Sequence, residues 1–336
     1  MKYFLETDAG YPGLHGMEYL VYNTAGGAML ATSVVLILRW YRLETLRKTK
    51  FLGINMPSEI PYIVASGVCT AVIIPTTTLL YSFDGISVMV AMVIMRGSVI
   101  VIGRVVDAIQ IKKGILKKRV YMEENIAMFL ALGAVSAKIF APGGGSGGSP
   151  FKSVPVMVIF VSYIIAYSIR IYIMNYYKNT RRPDDKRDNN KAFFAIEQIA
   201  STTTLVLIAI SVVILAKSTG ITGVRVTPFV EAATSPNWEW APWAFSAGII
   251  WGIVAFFSVF LFMFKGRTAT FAGLVNRLTS LVAGTTATLL FAILFTGDYP
   301  VLIDWLSLIF IVIAVGFMAK AEKKRRCEIG LQKKDC

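Results

Sequence analysis

Nine stretches of about twenty consecutive apolar residues run through this 336-residue chain, and nothing else in it constrains the fold so strongly. A bilayer core of roughly 30 Å holds no water to satisfy backbone N–H and C=O groups, so segments of that length and composition cross it as helices. The segments fall at about 17–39, 59–82, 85–107, 123–142, 153–175, 194–216, 241–264, 270–295 and 299–319. Composition agrees. Hydrophobic residues make up 55% and charged residues 16%, against roughly 25% charged in soluble domains, which excludes a single soluble enzyme domain. The leader, residues 1–16, carries Lys2, Glu6 and Asp8 and no apolar run of seven or more, so it does not read as a signal peptide.

The positive charge is arranged by loop. Lys and Arg total 34 against 20 Asp and Glu, a net +14. The loop after the first segment holds Arg39, Arg42, Arg47, Lys48 and Lys50, and that after the third holds Lys112, Lys113, Lys117, Lys118 and Arg119. Lys178 to Lys191 follow the fifth, Lys265 and Arg267 the seventh, and Lys323 to Arg326 the ninth. The intervening loops carry only Lys152, Lys217 and Arg225. Cytoplasmic loops retain the basic excess, so the N-terminus is expected outside and the C-terminus in the cytoplasm. This placement accounts for the basic balance without nucleic acid, for which no aromatic-basic interleaving is present. Three cysteines and one histidine, His15, are too few for a disulfide framework or histidine metal chemistry, and no metal or cofactor is expected.

The two halves share short motifs at a single offset. Arg96-Gly97-Ser98 with Gly103 and Arg277-Leu278-Thr279 with Gly284 both read R-x-[ST]-x(4)-G, and the same shift lays Pro61-Tyr62 and Gly67 on Pro242-Trp243 and Gly248. Five segments separate each equivalent pair, an odd interval, so the copies cross the membrane in opposite directions. The expected fold is an all-α polytopic membrane protein with nine transmembrane helices in an inverted repeat of four, one and four. Residues 17–142 form the first repeat and 143–152 a Gly-rich linker. Residues 153–320 form the second repeat, comprising an extra helix at 153–175 and four more, and 321–336 a basic tail.

Ile94 to Val101, Asn276 to Gly284, the turn Gly297-Asp298-Tyr299-Pro300 and a last helix ending in Gly316 resemble the drug/metabolite transporter superfamily, which includes EamA-type exporters and nucleotide-sugar transporters. The resemblance implies a secondary carrier with alternating access between two five-helix halves. The chain departs from that pattern in lacking the first of ten helices, which leaves the segment at 153–175 without an upstream counterpart.

A charge at mid-membrane depth costs roughly 2.5 to 3.5 kcal/mol, so each charge inside a segment is a site candidate. Arg96 lies about eleven residues from either end of its segment and is too deep to snorkel easily; Arg277, its repeat equivalent, lies about seven residues inside. An arginine fork at such positions suits an anionic group. Ser98 and Thr279 add a hydroxyl two residues on, Asn276 precedes Arg277, and Thr77 stands in the run after Pro75. These six form the expected substrate-binding set. Arg104 and Asp107 read as a local i, i+3 ion pair, and Lys138 and Arg170 as residues that reach an interface. Glu197 is read as a carboxylate held by its helix N-terminus, or as a protonatable coupling group that pairs with Arg277. Gly26-Gly27 with Ala31 suits helix packing, and Trp238, Trp240 and Trp243 an interfacial belt.

The expectation is therefore a secondary transporter, not an enzyme, for a small anionic metabolite: a nucleotide sugar, a phosphorylated metabolite or an organic acid. A non-transporting membrane subunit or assembly factor is the alternative. A membrane transferase has only His15 and the pair Glu123-Glu124 to work with, and no phosphate-binding loop is present for ATP coupling. The expected partners are the substrate and the lipid bilayer, with no nucleic acid, and a homodimer is compatible. A bacterial inner membrane is the preferred location; Lys333-Lys334 raises a eukaryotic endomembrane as the other.

Overall fold

The computed structural model describes residues 2–5, 11–43, 48–51, 53–81, 88–116, 120–140, 154–180, 189–263, 268–295 and 302–328. The side chains of Arg96, Lys138, Arg277 and Asp304 lie outside the described set, as does the Gly-rich linker. Nearly everything described is helical. The elements are α1 (Lys2–Leu5), α2 (Gly16–Ile37), β1 (Lys48–Phe51), β2 (Ile54–Pro57), α3 (Ile60–Tyr81), α4 (Val88–Lys112), α5 (Met122–Phe140), α6 (Val154–Thr180), α7 (Asn190–Thr219), α8 (Val226–Thr234), α9 (Ala241–Met263), α10 (Ala269–Phe295) and α11 (Leu302–Glu328).

Among the described residues, five helices are long and apolar enough to cross a membrane: Gly16–Ile37, Ile60–Leu80, Val154–Thr180, Asn190–Thr219 and Ala241–Met263. They are compatible with a multi-pass membrane protein. Several helices outrun their apolar segments; α7, at 30 residues, spans about 45 Å at 1.5 Å per residue. Hydropathy marks the lipid-length core of a helix but not the polar turns that continue it, which is why the expected ends fall short.

The chain divides into two compact units. The first holds residues 1–84, 154–174 and 181–263. In it α2 packs along α9 and α3 along α7, with α8 against α2. Glycine allows these close approaches. Gly27 faces the Gly248 carbonyl and Gly252, while Gly248 lies against Asn23, so contacts advance together along α2 and α9. This is the packing expected of Gly26-Gly27, with Gly248 and Gly252 on the partner helix.

His15 caps α2: its Nδ1 accepts the Met17 amide at 3.1 Å, and its own N–H donates to Glu18 at 3.0 Å. The one histidine is therefore a structural cap. Two features go beyond the sequence reading. The basic loop after α2 carries the antiparallel hairpin β1-β2, with Gly53 at φ +81 in its turn. The loop between α7 and α9 carries α8, whose Ala232 is buried with Tyr19, Tyr22, Ala241 and Ala244.

The second unit holds residues 85–153, 175–180 and 264–336. Here α4 packs on α10 and α5 on α11, around Ile100, Ala127, Ala131, Phe271, Leu274, Leu278, Ala314 and Met318. Both pairs are antiparallel. Asp107 near the end of α4 meets the first residues of α10, and Glu123 at the start of α5 pairs with Lys324 near the end of α11.

The local Arg104–Asp107 pair expected from spacing is replaced by a different use of Asp107. It is fully buried, and its oxygens accept the amides of Ala269 at 2.8 Å and Thr270 at 2.6 Å, the Thr270 hydroxyl at 2.6 Å and the Asn175 amide at 3.1 Å. A carboxylate so placed satisfies two of the four N–H groups a helix start leaves unpaired, at the positive end of its dipole. Spacing brought Arg104 within reach, but α10 offers more donors.

Candidate functional site

A buried polar cluster lies in the first unit, where Arg170 of α6 meets Glu197 of α7. Glu197 is only 2% exposed. It is the eighth residue of α7, in the third turn, because α7 begins at Asn190. Dipole stabilisation fades within the first turn, so the helix N-terminus does not hold this carboxylate. Four hydrogen bonds do. Arg170 Nε donates to Oε1 at 2.8 Å and Nη2 to Oε2 at 3.4 Å, while the Ser66 and Thr70 hydroxyls of α3 donate to Oε1 at 2.7 and 3.1 Å. Thr70 shares its hydrogen with the Ser66 carbonyl at 3.0 Å.

Arg170 is thus not a snorkelling residue: its side chain is 13% exposed and turned to Glu197. The expected partner of Glu197, Arg277, has its side chain outside the described residues. Backbone proximity brings the cluster together. A Cβ on Gly67 would stand 2.6 Å from both the Glu197 carbonyl oxygen and Ala200 Cβ, so only glycine lets α3 approach α7 here. That approach sets Ser66 and Thr70 against the carboxylate.

The polar surface continues along α7. Gln198 donates to the Thr202 hydroxyl at 3.1 Å, and Thr202 shares a hydrogen bond with Thr32 of α2 at 3.0 Å. Residues 197, 198, 201 and 202 lie one turn apart in two rows, forming one stripe. Two members of this group hold unspent hydrogen-bonding capacity. The Ser201 hydroxyl is buried without a partner among the described residues. Of the five N–H donors of Arg170, Glu197 takes one on Nε and one on Nη2; the remaining three have no acceptor among the described residues. A guanidinium can hold a carboxylate side-on through Nε and Nη2 or end-on through Nη1 and Nη2. Glu197 occupies the first edge and leaves the second open.

The six expected binding residues are distributed otherwise. Thr77, half-buried in α3, spends its hydroxyl on the Ile73 carbonyl at 2.7 Å. Thr279 does the same on α10, bonding the Val275 and Asn276 carbonyls at 2.9 and 3.0 Å. Ser98 of α4 and Asn276 of α10 are half-buried, and Arg96 and Arg277 are located by their helices α4 and α10 alone. The structure thus brings together a group that spacing did not assemble: Arg170, Glu197, Ser66, Thr70 and Ser201.

One signal in the sequence points to this group. Arg170 lies ten residues before the end of α6 and Glu197 seven after the start of α7, so opposite charges sit at similar depth on consecutive helices. No protein-family model matches this sequence, and no curated protein matches it.

Proposed function

We propose that the chain is a secondary carrier for a small anionic solute, a nucleotide sugar, phosphorylated metabolite or organic acid, working by alternating access between two inverted four-helix repeats. The observation that carries the reading is the set of helix pairings. Pairing the first repeat (α2, α3, α4, α5) with the second (α7, α9, α10, α11) exchanges the α2/α9 contact with the α3/α7 contact. It returns α4/α10 and α5/α11 to themselves. Each compact unit then draws helices from both proposed repeats, which is compatible with an inverted duplication.

Direction agrees as well. The helices α2 and α9 are six crossings apart and their contacts advance together, whereas α4/α10 and α5/α11 are five crossings apart and antiparallel. A carrier also needs polar groups inside its spans, and Arg170, Glu197 and the hydroxyls around them supply these. Arg96, Ser98, Arg277 and Thr279 of the repeat motifs, Asn276 beside them and Thr77 after Pro75 remain the proposed contacts of the solute, with Glu197 as the proposed coupling group.

The test is counterflow in liposomes containing the purified full chain, preloaded in turn with organic acids, sugar phosphates and nucleotide sugars. At least one class should exchange saturably. Arg96→Ala should lose that exchange at sub-saturating solute while still inserting, since a charged hydrogen bond contributes about 1.5 to 3 kcal/mol. Saturable exchange by none of the classes would refute the carrier; unchanged exchange by Arg96→Ala would remove Arg96 from its path.

A further inference from the structure

We infer that the open edge of Arg170 binds the carboxylate or phosphate group of the solute. The inference rests on the carrier reading for its consequence, anion transport, but its binding step stands on the geometry of Arg170.

Glu197 holds the guanidinium by its Nε and Nη2 edge and leaves the Nη1 and Nη2 edge with three unspent N–H donors among the described residues. Unpaired donors on a largely buried cation are costly, and an oxyanion with two oxygens matches that edge. Ser201, buried one turn beyond Glu197 on the same face of α7, holds a further unspent hydroxyl.

The test is calorimetric titration of the purified full chain with sulfate, a tetrahedral oxyanion, and with acetate, its carboxylate counterpart. Which probe binds more tightly distinguishes phosphate-like from carboxylate solutes. At least one should bind; Arg170→Gln should weaken it by about tenfold or more, and Arg170→Lys, which keeps the charge but not the fork, should fall between the two. Binding of neither probe, or unchanged affinity in both variants, would overturn the inference. Arg170-dependent anion binding without counterflow would instead remove the carrier reading and leave the site; counterflow with binding indifferent to Arg170 would do the reverse.

Discussion

Burying Glu197 and Arg170 together is the most expensive choice at the scale of single residues, and their mutual contact compensates for it. Each ion loses several kcal/mol of hydration on burial, and the pair regains this only through good geometry and further hydrogen bonds. The 2.8 Å Nε contact and the Ser66 and Thr70 hydroxyls provide both. Removing one partner strands a buried charge: Arg170→Ala or Glu197→Ala should lose about 3 to 5 kcal/mol of stability. The double variant Arg170→Met with Glu197→Leu, which strands no charge, should recover most of that loss in a denaturation series in detergent. A double variant whose loss equals the sum of the two single losses would show that the two residues stabilise the fold independently. Sequence alone exposed both charges but not their pairing, because nothing in a linear pattern says which faces of α6 and α7 meet. Asp107 makes the same point: Arg104 is near in sequence, yet the amides of α10 take the carboxylate.

At the scale of elements, two helices of the first unit meet where a side chain is missing. Gly67→Ala would place a methyl group 2.6 Å from the Glu197 carbonyl oxygen, a backbone atom with little freedom to move. Separating α3 from α7 should cost about 1 to 3 kcal/mol and loosen the hydroxyls around Glu197. Gly133→Ala on α5, where a Cβ meets nothing within 4 Å, should be neutral or slightly stabilising, since alanine is the better helix former. Equal effects of the two substitutions on thermal midpoint would contradict close packing as the reason for Gly67. The apolar segments made each long helix legible, because twenty apolar residues in lipid have one way to satisfy their backbone. The hairpin β1-β2 and the nine-residue α8 were not legible. Both are too short to stand out beside spans of about twenty residues, although α8 is amphipathic and buries Ala232 with Tyr19 and Tyr22 of α2. The last turns of α6 and α11 escape hydropathy for a related reason: their residues are polar or charged, and helices continue through them once they leave the apolar layer.

For the whole molecule, the proposed repeat and the polar stripe on α7 together require that the stripe line the path of the solute. Such a path can be probed without knowing the solute, because it is wet at some stage of the cycle and a lipid-facing or packed surface is not. In a chain whose native cysteines are replaced by serine, Ser201→Cys should react with a membrane-impermeant methanethiosulfonate reagent, and sulfate or acetate should slow the reaction. Ile208→Cys on the same helix, at a position 47% exposed on its apolar side, should stay unreactive in the bilayer because the reagent needs water. Reaction at 201 with protection by the anion, and none at 208, is the predicted result; a cysteine at 201 that stays inert from both sides of the membrane would contradict it.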